Sequence, residues 1–107
     1  MSKLSDFLDD LVAAGGTLAR DELIALLKTA KKDKSDFVRL QAENLERWTL
    51  MLAEGDLSAD GYRKLVRNME VVAHLEVIKL KVQAQASAQR LAKGIQDLVI
   101  GQLFKLI

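Results

Sequence analysis

The sequence predicts an all-α protein: three short N-terminal helices followed by one long C-terminal helix. Three observations carry that prediction. Proline is absent from all 107 residues, so nothing strips a backbone N–H from a helix interior or wedges one open. Leucine, alanine, lysine and glutamate, all good helix formers, fill the chain between its glycines. Apolar residues then recur at three- and four-residue spacing. A chain of this length is expected to form one domain. Its 50% hydrophobic content gives ample core material, of which aromatics, at 5%, supply little.

The first helix is capped by Ser2 or Ser5, carries Leu4, Phe7, Leu8, Leu11 and Val12 on one face, and ends at Gly15-Gly16. Thr17 caps the second, whose first turns hold Asp21 and Glu22 near the positive end of the helix dipole. Leu18, Leu23, Ile24, Leu27 and Ala30 form its apolar side. The polar run KKDK (31–34) connects to a third helix starting at Ser35 and Asp36 and stopped by Gly55, with Phe37, Val38, Leu45, Trp48 and Leu52 inward. Residues 1–55 thus form the N-terminal helical segment, and 56–107 the long helix.

From Ser58 onward no proline or turn cluster interrupts the chain. A continuous helix of that length would run about 75 Å, far beyond a domain this small, so a bend near VQAQASAQ (82–89) is the alternative to a protruding rod. At 100° per residue, Tyr62, Leu65, Val66, Met69, Ala73, Val77 and Leu80 make one apolar stripe, and Val71, Leu75, Ile78 and Val82 make a second on the far side. Two stripes require burial on two sides. The N-terminal helices can cover one; the other calls for a second copy or a partner helix. In IQDLVIGQLFKLI (95–107), Ile95, Leu98, Val99, Ile100, Leu103, Phe104, Leu106 and Ile107 cover more than half the wheel, which implies a docked end. Gly94 and Gly101 share nearly one line, either for local accommodation or for close approach of another helix.

The formal net charge of +1 leaves little electrostatic drive toward nucleic acid. KKDK is broken by Asp33, and Arg63, Lys64 and Arg67 read as a solvated helix start. The absence of cysteine rules out disulfides and thiolate chemistry. No signal peptide and no apolar run of spanning length are visible, so a soluble, cytoplasmic protein is expected.

One stretch imitates a metal site. In DLSADGY (56–62), Asp56, Ser58, Asp60 and Gly61 occupy positions 1, 3, 5 and 6 of a calcium loop. The twelfth position, where a bidentate acid must close the coordination sphere, is Arg67. A helix stop at Gly55 and a cap at Ser58 account for every residue, so the stretch reads as a turn. His74, the only histidine, follows Glu70 by four residues and falls on a polar face with Arg63, Arg67 and Lys81. Glu76 sits within the main apolar stripe, either reaching water at its edge or acting as a buried polar device that fixes register. Neither a phosphate-cradling glycine loop nor a nucleophile–base pair is recognisable.

These features predict a non-enzymatic helical assembly or adaptor protein, needing no cofactor or metal. It would self-associate in coiled-coil or bundle fashion, or bind a partner helix, through Val71, Leu75, Ile78, Val82, Leu98, Leu103, Phe104 and Ile107. The alternative is a membrane-inserting or membrane-remodelling protein acting through the apolar C-terminal helix, flanked by Lys93 and Lys105.

Overall fold

Among the described residues, five α-helices form the architecture: α1 (Lys3–Ala13), α2 (Arg20–Ala30), α3 (Asp36–Glu54), α4 (Ala59–Val77) and α5 (Val82–Gly94). A π-helical segment (Ile95–Ile100) and a short 3₁₀ turn (Leu103–Lys105) follow. The computed structural model describes residues 3–13 and 19–107, and no strand occurs among them. The expected ends at Gly15-Gly16, the Thr17 cap and Leu18 lie outside the described residues.

Helix boundaries from Lys31 to Ala59 follow local chemistry. The Ser35 Oγ accepts the Val38 N–H at 3.5 Å, and the Asp33 carboxylate accepts the Ser35 N–H at 2.9 Å. Together they turn the polar connection into the start of α3. Gly55 ends α3 at φ 82°, the left-handed conformation that glycine adopts without Cβ strain. Ser58 then accepts the Gly61 N–H at 3.0 Å. Residue for residue, DLSADGY is a helix stop followed by a helix start.

The long C-terminal helix does not exist as one element. It breaks at residues 78–81, and α5 with the turns that follow it returns antiparallel along α4, bringing Phe104 of the 3₁₀ turn to Tyr62 at one end. At the other, Ala73 and Val77 share a groove with Gln89 and Ala92. The break precedes VQAQASAQ, which instead opens α5. No glycine or proline marks it; Lys81 simply turns extended (ψ 153°). The Gln85 amide donates from its side chain to the Ile78 carbonyl at 3.4 Å and from its backbone to the Lys81 carbonyl at 2.8 Å. What drives the reversal is burial: folding back places Ala88, Leu91 and Ile95 in the core. A straight rod would leave them in water.

The core is one contiguous cluster drawing on both halves of the chain, from Leu4 and Leu8 to Leu103 and Phe104. Helix α3 packs against each of the other four helices. The Cα radius of gyration, 13.4 Å, is close to the roughly 13 Å expected for a single compact unit of this length.

The C-terminal apolar arc also resolves within the chain. The wider π turn, closed by the Gly101 N–H donating to the Gln96 carbonyl at 2.9 Å, lets Ile95, Leu98 and Val99 all face inward. The 3₁₀ turn then buries Leu103 and Phe104. An ideal wheel at 100° per residue cannot bring so broad an arc inside, which is why it reads in sequence as a partner surface. Arg63 fixes the end by donating from Nη2 to the carbonyls of Phe104 (3.3 Å) and Ile107 (2.7 Å). Gln102 Oε1 accepts the Ala19 N–H at 2.7 Å, satisfying the backbone donor just ahead of α2, which has no side-chain cap of its own.

Gly94 does admit a neighbouring helix, but one from its own chain. A Cβ there would lie 2.3 Å from Leu26 Cδ2 and 3.2 Å from Cγ on α2. Gly101 is local: its Cβ would meet the Asp97 carbonyl oxygen at 2.6 Å. In an open helix Gly→Ala gains about 1 kcal/mol. Gly94→Ala is expected to forfeit that gain, because the half-buried Leu26 side chain must shift to admit the new Cβ. Denaturant melts of Gly94→Ala, Leu26→Ala and the double variant check it. The contact demands non-additivity, with the Gly94→Ala gain returning once Leu26 is trimmed.

Candidate interaction surface

The orientation of α4 is fixed from inside. Tyr62, Val66, Met69 and Ala73 are buried, as the first apolar stripe predicts. Thr49 Oγ1 lies 2.7 Å from the Leu45 carbonyl and 2.8 Å from the Tyr62 hydroxyl. Since a carbonyl only accepts, the single threonine proton goes to Leu45 and Tyr62 donates to Thr49. The Tyr62 and Phe104 rings meet edge-on, with centroids 6.0 Å apart, and the Arg67 guanidinium sits 5.6 Å from the Phe104 ring centre. These contacts tie the C-terminal turn to the start of α4.

Burial pushes the Tyr62 hydroxyl up to about 12, opposed by the Thr49 hydroxyl, which can turn and donate to a phenolate. Between pH 10 and 12 the native state therefore holds a proton that the unfolded chain has released. The resulting stability is complete below about pH 10 and is lost as pH rises toward about 12. At 1.36 kcal/mol per unit this amounts to about 3 kcal/mol. Tyr62→Phe removes the titration, so the stability difference between wild type and Tyr62→Phe should shift in the variant's favour across that window. Urea melts of both chains from about pH 9 to about pH 12 measure it.

With the inner stripe locked, the second stripe faces outward. Val71, Leu75, Ile78 and Val82 are 57%, 65%, 79% and 82% exposed. Val71, Leu75 and Ile78 follow one another along the last two turns of α4 to its C-cap, and Val82 stands beyond the break at the start of α5. Val72, 41% exposed, widens the row and was not part of the predicted set; its place between the two stripes on the wheel was the signal available. Charges border the row on both sides: Lys79 reaches Glu76 at 3.5 Å, and His74 lies 3.9 Å from Glu70. Glu76 keeps 42% of its side chain exposed, so it reaches water at the stripe's edge instead of fixing register from a buried position. His74 stands in solvent, on the polar face that the wheel assigns it.

The eight predicted interface residues therefore divide. Val71, Leu75, Ile78 and Val82 stay open to solvent. Leu98, Leu103 and Phe104 are consumed by the chain's own core, and Ile107 is half-buried beside it. The sequence grouped them because both sets are apolar and unclaimed by the N-terminal helices; the reversal at 78–81 separates them.

Among the described residues, no group of three or more His, Asp or Glu side chains is placed to hold a metal ion. Among them, too, no helix is long and apolar enough to cross a membrane. Compared with protein families, curated proteins and solved structures, the chain matches none.

Proposed function

We propose that this protein is a non-catalytic, cytoplasmic assembly or adaptor module that self-associates, or receives a partner helix, through the outer face of α4. The observation that carries this is the row Val71, Leu75 and Ile78 along α4, with Val82 just past the turn, each more than half exposed, in a chain that buries its other apolar stripe and its C-terminal arc. Scattered single exposed aliphatics are ordinary; a contiguous row on one face marks an interaction surface. The row with Val72 amounts to roughly 500 Å² of apolar surface, so pairing two copies would remove about 1,000 Å², the threshold for a specific interface. Leu75 stands at its centre and is assigned the largest share of the binding energy.

Support for the membrane-inserting alternative through the C-terminal helix is weaker. Leu98, Leu103 and Phe104 are core residues, so inserting them would dismantle the fold. The deciding experiment is the solution mass by light scattering across protein concentration. A mass above one chain supports self-association. A strict monomer at high concentration leaves a partner helix as the only occupant that keeps the proposal.

A further inference from the structure

The two most exposed large aliphatic side chains among the described residues, Ile78 and Val82, stand at the two ends of the α4–α5 turn. Lys79 and Lys81 alternate with them. The fold brings a second basic segment to the same end of the molecule: Lys32 and Lys34, from the α2–α3 connection, line one open groove with Lys81. The acids nearby are already engaged. Asp33 accepts the Ser35 N–H at 2.9 Å and faces Arg39 and Arg90; Asp36 pairs with Arg39, and Glu76 with Lys79. Among the described residues, Lys32, Lys34 and Lys81 form no ion pair.

This end therefore combines protruding aliphatics with a cationic excess, Lys32, Lys34 and Lys81 against the engaged Asp33 in the same groove, although the whole chain is nearly neutral. Aliphatic side chains that stand clear of their own chain enter the soft boundary between headgroups and acyl chains, while lysines above them meet anionic headgroups. An acidic protein surface would satisfy the lysines but would leave Ile78 and Val82 against charge. We propose that the Ile78–Val82 turn, with Lys32, Lys34 and Lys81, docks the chain on the surface of an anionic lipid bilayer. Docking is peripheral, with Ile78 and Val82 as the inserting side chains. It goes beyond the assembly proposal and does not depend on it, since Val71, Val72 and Leu75 lie along the flank of α4 and only Ile78 and Val82 belong to both surfaces.

Co-sedimentation of the full chain with vesicles tests it, using phosphatidylcholine alone or mixed with phosphatidylserine. The expected result is sedimentation only with phosphatidylserine, weakening as salt rises. Replacing Lys32, Lys34 and Lys81 together by Gln should lower vesicle partitioning roughly 100-fold, and Val82→Ser alone roughly 10-fold. Light scattering should show the triple-Gln variant assembled as wild type is, and Leu75→Glu should still sediment with the vesicles. Those two controls separate failure of docking from failure of assembly. Absence of phosphatidylserine-dependent sedimentation by folded wild type overturns the proposal. So does binding indifferent to Val82→Ser, which would be adsorption of a basic surface without insertion.

Discussion

Leu103→Glu is expected to destroy the fold, not to release one chain from another. The side chain is fully buried and belongs to the same cluster as Leu8, Leu23 and Val99. A carboxylate there has no cation within the core to meet it, and burying an unpaired charge costs several kcal/mol even after its pKa adjusts. A domain of this size has about 5–15 kcal/mol of stability in total, so much or all of it would be lost. The expected observation is a chain with no cooperative thermal transition, or one shifted down by tens of degrees, since about 1 kcal/mol moves the midpoint by about 4–8 °C. Leu103→Met, which conserves volume and chemistry, should cost less than about 1.5 kcal/mol. An intact, cooperatively melting Leu103→Glu monomer would mean that the C-terminal turn contributes to an interface and not to the core.

That prediction reverses what the one-dimensional pattern suggests for the same residue, and the reason is geometric. Local signals were legible wherever a single residue type dictates the backbone. Gly55 had to be left-handed, and Ser35 and Ser58 had oxygens to offer the N–H groups of new helices. The inner stripe from Tyr62 to Ala73 was legible because it lies within one straight helix. The reversal at 78–81 was not, because the residues there, Ile-Lys-Leu-Lys, carry no turn chemistry. The turn exists because Ala88, Leu91 and Ile95 gain a core by it, a tertiary gain that overrides local propensity. The π segment was hidden for a related reason. Helical wheels assume 3.6 residues per turn, and the wider turn at Ile95–Ile100 redirects side chains that the wheel spreads over an arc. Once both deviations are known, half of the expected surface moves inside. The half carried by α4 stays outside, where the wheel had it.

The surviving half makes the second large prediction. Leu75→Glu is expected to leave a single chain as stable as wild type, because a solvent-facing substitution on a helix changes stability by about 0.5 kcal/mol or less. In an assembly packed on the α4 face the same carboxylate would be desolvated against Val71 and Ile78, side chains that offer no hydrogen bond. Several kcal/mol is then lost from association, and each 1.4 kcal/mol weakens it about tenfold. A micromolar assembly would dissociate at any practical concentration. Because association stabilises by mass action, the wild-type melting midpoint should rise with protein concentration, while that of Leu75→Glu should not. Ile78→Glu should behave in the same way, and Leu40→Glu, at an exposed aliphatic on α3 outside the row, should change neither mass nor midpoint. Light scattering and melts of the four chains over a broad concentration range decide the matter. If Leu75→Glu retains the wild-type mass, an assembly exists but uses another face. If Leu40→Glu dissociates it instead, the interface belongs to α3, and the row on α4 is left to a different partner.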